Sequence, residues 1–192
     1  MSDRLALIES CLALAEGGDH AALPVLLERL CHADWRVCYA AAVALGDLRD
    51  EAAIPGLIEA LKQEDAAPLY TQKEEYGSAH AGSNGEFRVN LPAHLSDDTF
   101  EAWRRRGRVK QAVCLSLGEI KTADETVHSF LERYAVDQVE DPNVRAAACK
   151  ALGLIGNPKS LPALQLAMKD QEWCTQKEAS KSVAALSRAS AR

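Results

Sequence analysis

Asp141-Pro142-Asn143-Val144-Arg145-Ala146-Ala147-Ala148-Cys149-Lys150-Ala151-Leu152-Gly153 has two earlier relatives in the chain, at residues 37–46 and 109–118. Counted from valine, the small or apolar residues of each copy fall at i, i+3, i+4, i+7 and i+8, which is one face of an α-helix. These faces are Val37, Ala40, Ala41, Ala44 and Leu45; Val109, Ala112, Val113, Ser116 and Leu117; and Val144, Ala147, Ala148, Ala151 and Leu152. Small side chains recurring in phase let neighbouring helices nest closely. The repetition predicts an all-α fold, an α-solenoid in which antiparallel helix pairs stack into a superhelix.

Each repeated helix, here called a B helix, has an A helix before it. Leu23, Pro24, Leu26, Leu27 and Leu30 recur as Ile54, Pro55, Leu57, Ile58 and Leu61, and again as Leu161, Pro162, Leu164 and Met168. Val127, Phe130, Leu131 and Tyr134 make a fourth A helix without the proline. Residues 3–16 place Leu5, Ile8, Leu12 and Ala15 on one face ahead of Gly17-Gly18 and read as an N-terminal cap. The first A helix is expected over 20–31, and Asp34 is placed to cap the B helix after it. Gly46 closes that B helix or lies one turn from its end. Pro142 and Gly153 bound the third B helix, and residues 172–188 make a divergent, polar last one.

The spacing from Pro24 to Val37 is 13 residues, but from Pro55 to Val109 it is 54, so 41 extra residues enter the second A–B turn. The chain therefore reads as one domain, 1–192, with an irregular insertion at 64–106 inside the second helix pair. Gly77, Gly82, Ser83, Asn84 and Gly85 give the insertion a turn-rich composition, and the alternation of Phe87, Val89 and Leu91 with Arg88 and Asn90 suits a short strand or hairpin arm. Helical pattern resumes at Asp98. The sequence leaves open whether 98–120 is one helix or two broken at Gly107.

Composition limits the functions. Hydrophobic residues make up 47% of the chain and aromatics only 5%, so the core is aliphatic. A formal charge of −6 opposes general affinity for nucleic acid or an anionic bilayer. The start lacks a basic region followed by an unbroken apolar run, and no stretch is long enough to span a membrane, so a soluble cytoplasmic protein is expected. The six cysteines form no CxxC pair, and Cys114 and Cys149 share one repeat position, as buried small hydrophobes in a reducing compartment would. His20, His32, His80, His94 and His128 form no i, i+4 pair. No cofactor, metal or catalytic residue is therefore expected.

Val-(Arg/Lys)-x-Ala-Ala-x-x-Ala-Leu-Gly, followed by a Leu-Pro-x-Leu helix, resembles the HEAT repeat, specifically the short bacterial variety first described in phycobilisome lyases. The resemblance covers the chain apart from roughly 64–106. It implies a partner-binding scaffold, or, as in a minority of similar proteins, a factor assisting attachment of bilin chromophores to cysteines. No residue here matches a lyase active site.

In a HEAT-like stack the B helices line the concave surface. At about 100° per residue, the outward places are one before the valine and two and six after it. They hold Arg36, Tyr39 and Val43; Arg108, Gln111 and Leu115; and Asn143, Ala146 and Lys150. Tyrosine and arginine are enriched in binding hot spots. The alternative is that neighbouring repeats or the insertion cover Val43 and Leu115.

Beside the insertion, Trp103 and the run Arg104, Arg105, Arg106, Arg108 and Lys110 hold five of the 22 basic residues. An anionic partner, nucleic acid included, would find positive charge and a stacking surface there. The commoner arrangement is that these cations neutralise the protein's own acids, such as Glu74, Glu75 and Asp97. Trp35 and Trp173 are candidate anchors whose more frequent role is partial burial at a repeat edge. The expected partner is thus another protein, met through the B helices and the insertion.

Overall fold

The computed structural model describes residues 2–66, 79–81, 87–89 and 97–190. Its helices are α1 (Ser2–Glu16), α2 (Leu23–Leu30), α3 (Trp35–Leu48), α4 (Ile54–Ala66), α5 (Asp97–Ile120), α6 (Glu125–Val136), α7 (Pro142–Ile155), α8 (Leu161–Ala167) and α9 (Trp173–Ser190). Within the insertion, β1 (Ala79–Ala81) pairs antiparallel with β2 (Phe87–Val89), Ala79 standing opposite Val89. Leu91, the glycine-rich stretch 82–85, and Glu74 and Glu75 lie outside the described residues.

Local chemistry sets the helix starts. Asp19, Asp50 and Asn157 each accept a hydrogen bond from the amide two residues on, opening a three-residue 3-10 turn that runs into a Leu-Pro or Ile-Pro helix. The first A helix is therefore such a turn, His20–Ala22, followed by α2. Asp34, Asp124 and Asp141 cap α3, α6 and α7 in the same way, at 2.9, 2.6 and 2.7 Å from the amides of Arg36, Thr126 and Asn143. Each such cap contributes about 1 kcal/mol.

The helices form two layers. α1, α3, α5, α7 and α9 stack in succession, each packed on the next, while α2, α4, α6 and α8 back onto their own B partners. α1 thus takes the place of a B helix at the start of the row. The core between the layers is aliphatic, with Leu26, Leu45, Leu57, Leu117, Leu131, Leu152 and Leu164 all fully buried. Each buried leucine contributes roughly 1.5–3 kcal/mol, so the core outweighs the caps as the source of stability.

Small residues hold the B row together. The Ser116 hydroxyl donates to the Ala42 carbonyl of α3 at 2.6 Å, and Ser182 of α9 donates to the Cys149 carbonyl of α7 at 2.8 Å. Gly46, Gly118 and Gly153 face the next helix so closely that an added Cβ would lie 2.7–2.8 Å from Ser116 or Ala151 backbone carbons, or 2.3 Å from the Ser182 hydroxyl.

One expectation about helix ends changes, and for Gly46 the second of its two expected placements, one turn from the end, holds. Gly153 does not bound the third B helix, which runs on to Ile155 and ends at Gly156 with φ of +82°. Gly46 lies within the last turn of α3, whose left-handed end residue is Arg49. The open question at Gly107 resolves as one helix, α5, with Gly107 buried against the Asp141 carboxylate.

Candidate partner-binding face

The expected outward positions lie on three successive B helices that pack one on the next. On α3, Arg36 pairs with Asp34 at 3.4 Å and lies 4.7 Å over the Trp35 ring, while Tyr39 is 37% exposed. Arg4 of α1 approaches the same Asp34 at 3.5 Å. Partial burial works to raise the Asp34 pKa, but the Arg36 amide, the Arg36 guanidinium and Arg4 together hold it below its ordinary value. On α5, Arg108 is exposed and donates to Gln111 at 3.3 Å, and on α7 Lys150 is exposed.

Other expected members of the face lie deeper. Val43 and Leu115 are partly buried and pack against the core, as the covered alternative holds. Ala146, assigned to an outward place, is buried, whereas Lys150 on the same helix is exposed. Trp103, Arg104, Arg105 and Arg106 lie on α5, and their side chains fall outside the described residues.

Lys110 does not belong to an exposed basic cluster. One residue after Val109, it points into the stack, has no exposed surface, and contacts the carboxylates of Asp65 and Glu140. Its ammonium also stands 5.0 Å from the Tyr134 ring. Asp65 in turn accepts from Arg133 at 2.6 Å and from the Tyr134 hydroxyl at 2.8 Å. Burial works to raise the Asp65 pKa, but Lys110, Tyr134 and Arg133 together hold it below its ordinary value. The Tyr134 hydroxyl is pushed well up, by burial first and then by the neighbouring carboxylate.

The same register on α7 repeats the device. Arg145, one residue after Val144, donates from Nε and Nη2 to the two oxygens of Asp170 at 2.8 and 2.9 Å, and both side chains are buried. Glu140 and Asp170 sit in the A–B turn of the following repeat, so each basic side chain ties one helix pair to the next, while Asp65 lies at the end of α4 in Lys110's own pair. The acids expected to neutralise the basic run were Glu74, Glu75 and Asp97. The ones that meet Lys110 are Asp65 and Glu140.

α9 supplies two outward residues that pattern reading missed. The Ser182 bond to Cys149 sets Ser182 in register with Ser116, so Thr175 occupies the valine place and Lys177 and Lys181 occupy the outward ones. The signal was weak because α9 replaces the valine and the glycine. Lys181 pairs with Glu178 at 2.7 Å, and Lys177 lies 4.5 Å over the Trp173 ring. Trp35 is partly buried as expected of a repeat edge, but Trp173 is 69% exposed.

All six cysteines are free thiols. Burial is the chief cause that pushes the Cys149 thiol up to about 12 and raises Cys114 further, so neither is a ready nucleophile. Among the described residues no three His, Cys, Asp or Glu side chains converge as a metal site. No helix among them is long and apolar enough to cross a membrane.

Stacked helix pairs tied by alternating polar bonds and small-residue seams define an α-solenoid repeat protein. The family model for HEAT repeats matches residues 2–71 and 104–187, and the chain belongs to that family. The two matched stretches leave residues 72–103, within the insertion, between them. No curated protein sequence matches the chain. Among solved structures, human deoxyhypusine hydroxylase in complex with glycerol is similar at 20% identity and a TM-score of 0.40, covering 96% of this chain and 80% of that one.

Proposed function

We propose that this chain is a non-catalytic scaffold that binds another protein through the outward face of its B helices, with the 64–106 insertion adding specificity. The observation that carries this reading is that Arg36 and Arg108, and likewise Tyr39 and Gln111, hold matching registers on two stacked B helices, with Lys150 exposed on the next. Tyrosine and arginine on a rigid frame give contact area at little entropic loss. Trp103, Arg104 and Arg105 extend the same helix toward the insertion, and Val43 and Leu115 supply its apolar floor. Free thiols throughout suit a reducing compartment, and we place the protein in the cytoplasm.

The test is affinity capture from native lysate with the intact chain, a version lacking residues 66–97, and a Tyr39→Ala/Arg108→Glu variant. Loss of one specific protein by the double variant supports the face; an unchanged set of captured proteins for both altered versions overturns the reading. Kinship with the phycobilisome-lyase variety would instead appear as an absorbance shift on adding bilin. The nucleic-acid alternative is weakened by Lys110, whose charge is spent inside the stack.

A further inference from the structure

Among the described residues the B row opens with α1 and closes with α9, and each of these helices bares a face that the other B helices cover. Ala6, Cys11, Ala13 and Leu14 of α1 hold the places of Val109, Cys114, Ser116 and Leu117. Contacts agree with this register: Arg4 meets Asp34 of α3, as Gly107, in the equal place on α5, meets Asp141 of α7. On α5, α7 and α9 the Ser116 place packs against the helix before it. On α1 that place is Ala13, which is exposed beside exposed Ala6 and Glu9. At the other end, the Cys149 and Gly153 places, which α9 covers through Ser182, are Ser180 and Ala184 on α9 itself, and both are bare. Large apolar side chains accompany them: Leu5 and Leu12 on α1 are 52% and 42% exposed, and Trp173 on α9 is 69% exposed.

The two bare faces differ in charge. Asp3, Glu9 and Glu16 are exposed on α1, whose one cation, Arg4, is turned to Asp34 at 3.5 Å. Arg29 of α2 is turned to Ser10 at 3.1 Å. On α9, Lys177, Lys181 and Arg188 are exposed. Its one acid, Glu178, is partly buried and bound to Lys181 at 2.7 Å, and Glu172 in the preceding turn is also partly buried. An α1–α1 pair would set acid against acid, and an α9–α9 pair cation against cation.

We propose that copies of this chain associate head to tail, α1 of one copy stacking on α9 of another as a continuation of the B row. Ala13 of the second copy nests on Ser180 and Ala184, as Ser116 does on Ala42 and Gly46. In the register in which Gly107 meets Asp141, Trp173 meets the start of the second α1 and is covered there by Leu5. Glu9 and Glu16 run alongside Lys177, Lys181 and Arg188. Ala184 stands where the inner seams have glycine, so the copies lie further apart than α5 and α7 do. Alanine there still admits a stack, because α1 carries Ala15 in that place and packs on α3. The contact is therefore looser than an inner seam and reversible. Being heterologous, it builds rings or open rows rather than stopping at two copies.

The test is sedimentation of the purified chain over a range of concentrations, beside Ala13→Gln and Ala184→Gln, each of which adds bulk without charge to one face. Both residues are exposed, so each variant keeps the parent's melting temperature. The parent is expected to grow past the dimer as concentration rises and to fall back with added salt. Each variant alone associates about tenfold more weakly or worse. An equal mixture of the two forms dimers at parent strength, because it still holds an intact α1 face on one variant and an intact α9 face on the other.

A parent that stays monomeric, a parent that stops at the dimer, or a mixture no more associated than its separate variants overturns the proposal. Lys177 and Lys181 also hold the outward places of α9, and neither is altered in this test. No captured protein enters the readout, so failure here leaves the B-helix face standing, and failure of the capture experiment leaves this contact standing.

Discussion

Lys110 places a full positive charge where no water reaches it, and the carboxylates of Asp65 and Glu140 are what make that tenable. Replacing it by Met leaves Glu140 buried without its partner, and removing one member of such a pair costs about 3–5 kcal/mol. Lys110→Met is expected to lower the urea midpoint sharply, and adding Glu140→Gln to recover part of the loss. A second consequence concerns pH. Burial works to raise the Asp170 pKa, yet Arg145, the Glu172 amide and Gln138 hold it below its ordinary 3.8, as the partners of Asp65 do for that residue. The folded chain thus binds these protons less readily than the unfolded one. The associated stability is complete above pH 3.8 and is lost as pH falls through the lowered folded values. Urea midpoints measured across acid pH are expected to fall steeply below pH 3.8, and Asp170→Asn to flatten that limb at a lower starting stability. The inward position of Lys110 was written in the sequence: it and Arg145 both follow the repeat valine by one residue, the register that turns toward the next pair. Reading residues 104–110 as a contiguous basic patch ignored the helical rotation that separates Arg108 from Lys110.

Between helices, glycine decides how near the partners come. At Gly118 an added Cβ would lie 2.7 Å from the Cα of Ala151, a backbone atom that cannot swing aside; at Gly56 the clash at 2.4 Å is with a Leu27 methyl, which can. Alanine is better in a helix than glycine by about 1 kcal/mol, while overpacking a tight contact costs about 1–3 kcal/mol. Gly118→Ala is therefore expected to lower the melting temperature, and Gly56→Ala to change it little; equal effects would mean that the B seam is looser than its contacts indicate. The repeat register and the A–B alternation were legible because they rest on apolar periodicity. The helix ends were less so. A glycine after the last leucine reads as a terminus, but Gly46, Gly118 and Gly153 serve close approach, and the left-handed end residues of α3 and α5 are Arg49 and Lys121, side chains that carry no such signal.

Over the whole molecule, each B helix rests on the one before and the one after, so stability passes from neighbour to neighbour along the row. The polar ties add direction: Lys110 links α5 to Asp65 at the end of α4 and to the α6–α7 turn, and Arg145 links α7 to the α8–α9 turn. The exposed edge at Trp173 was not legible from the sequence because a tryptophan two places before the repeat valine is partly covered on α3. Only the α9 register shows its counterpart bare. This linear construction predicts how damage spreads. Gly153→Ala forces a Cβ to within 2.3 Å of the Ser182 hydroxyl and pries α9 from α7, at one end of the described row. Lys110→Met acts in the middle. By peptide-level hydrogen exchange, Gly153→Ala is expected to speed exchange in residues 161–188 while 35–48 keep their protection, whereas Lys110→Met is expected to speed exchange on both sides of α5. If either variant instead accelerated every helix by the same factor, the molecule would unfold as one block, and the nearest-neighbour account of its stability would be wrong.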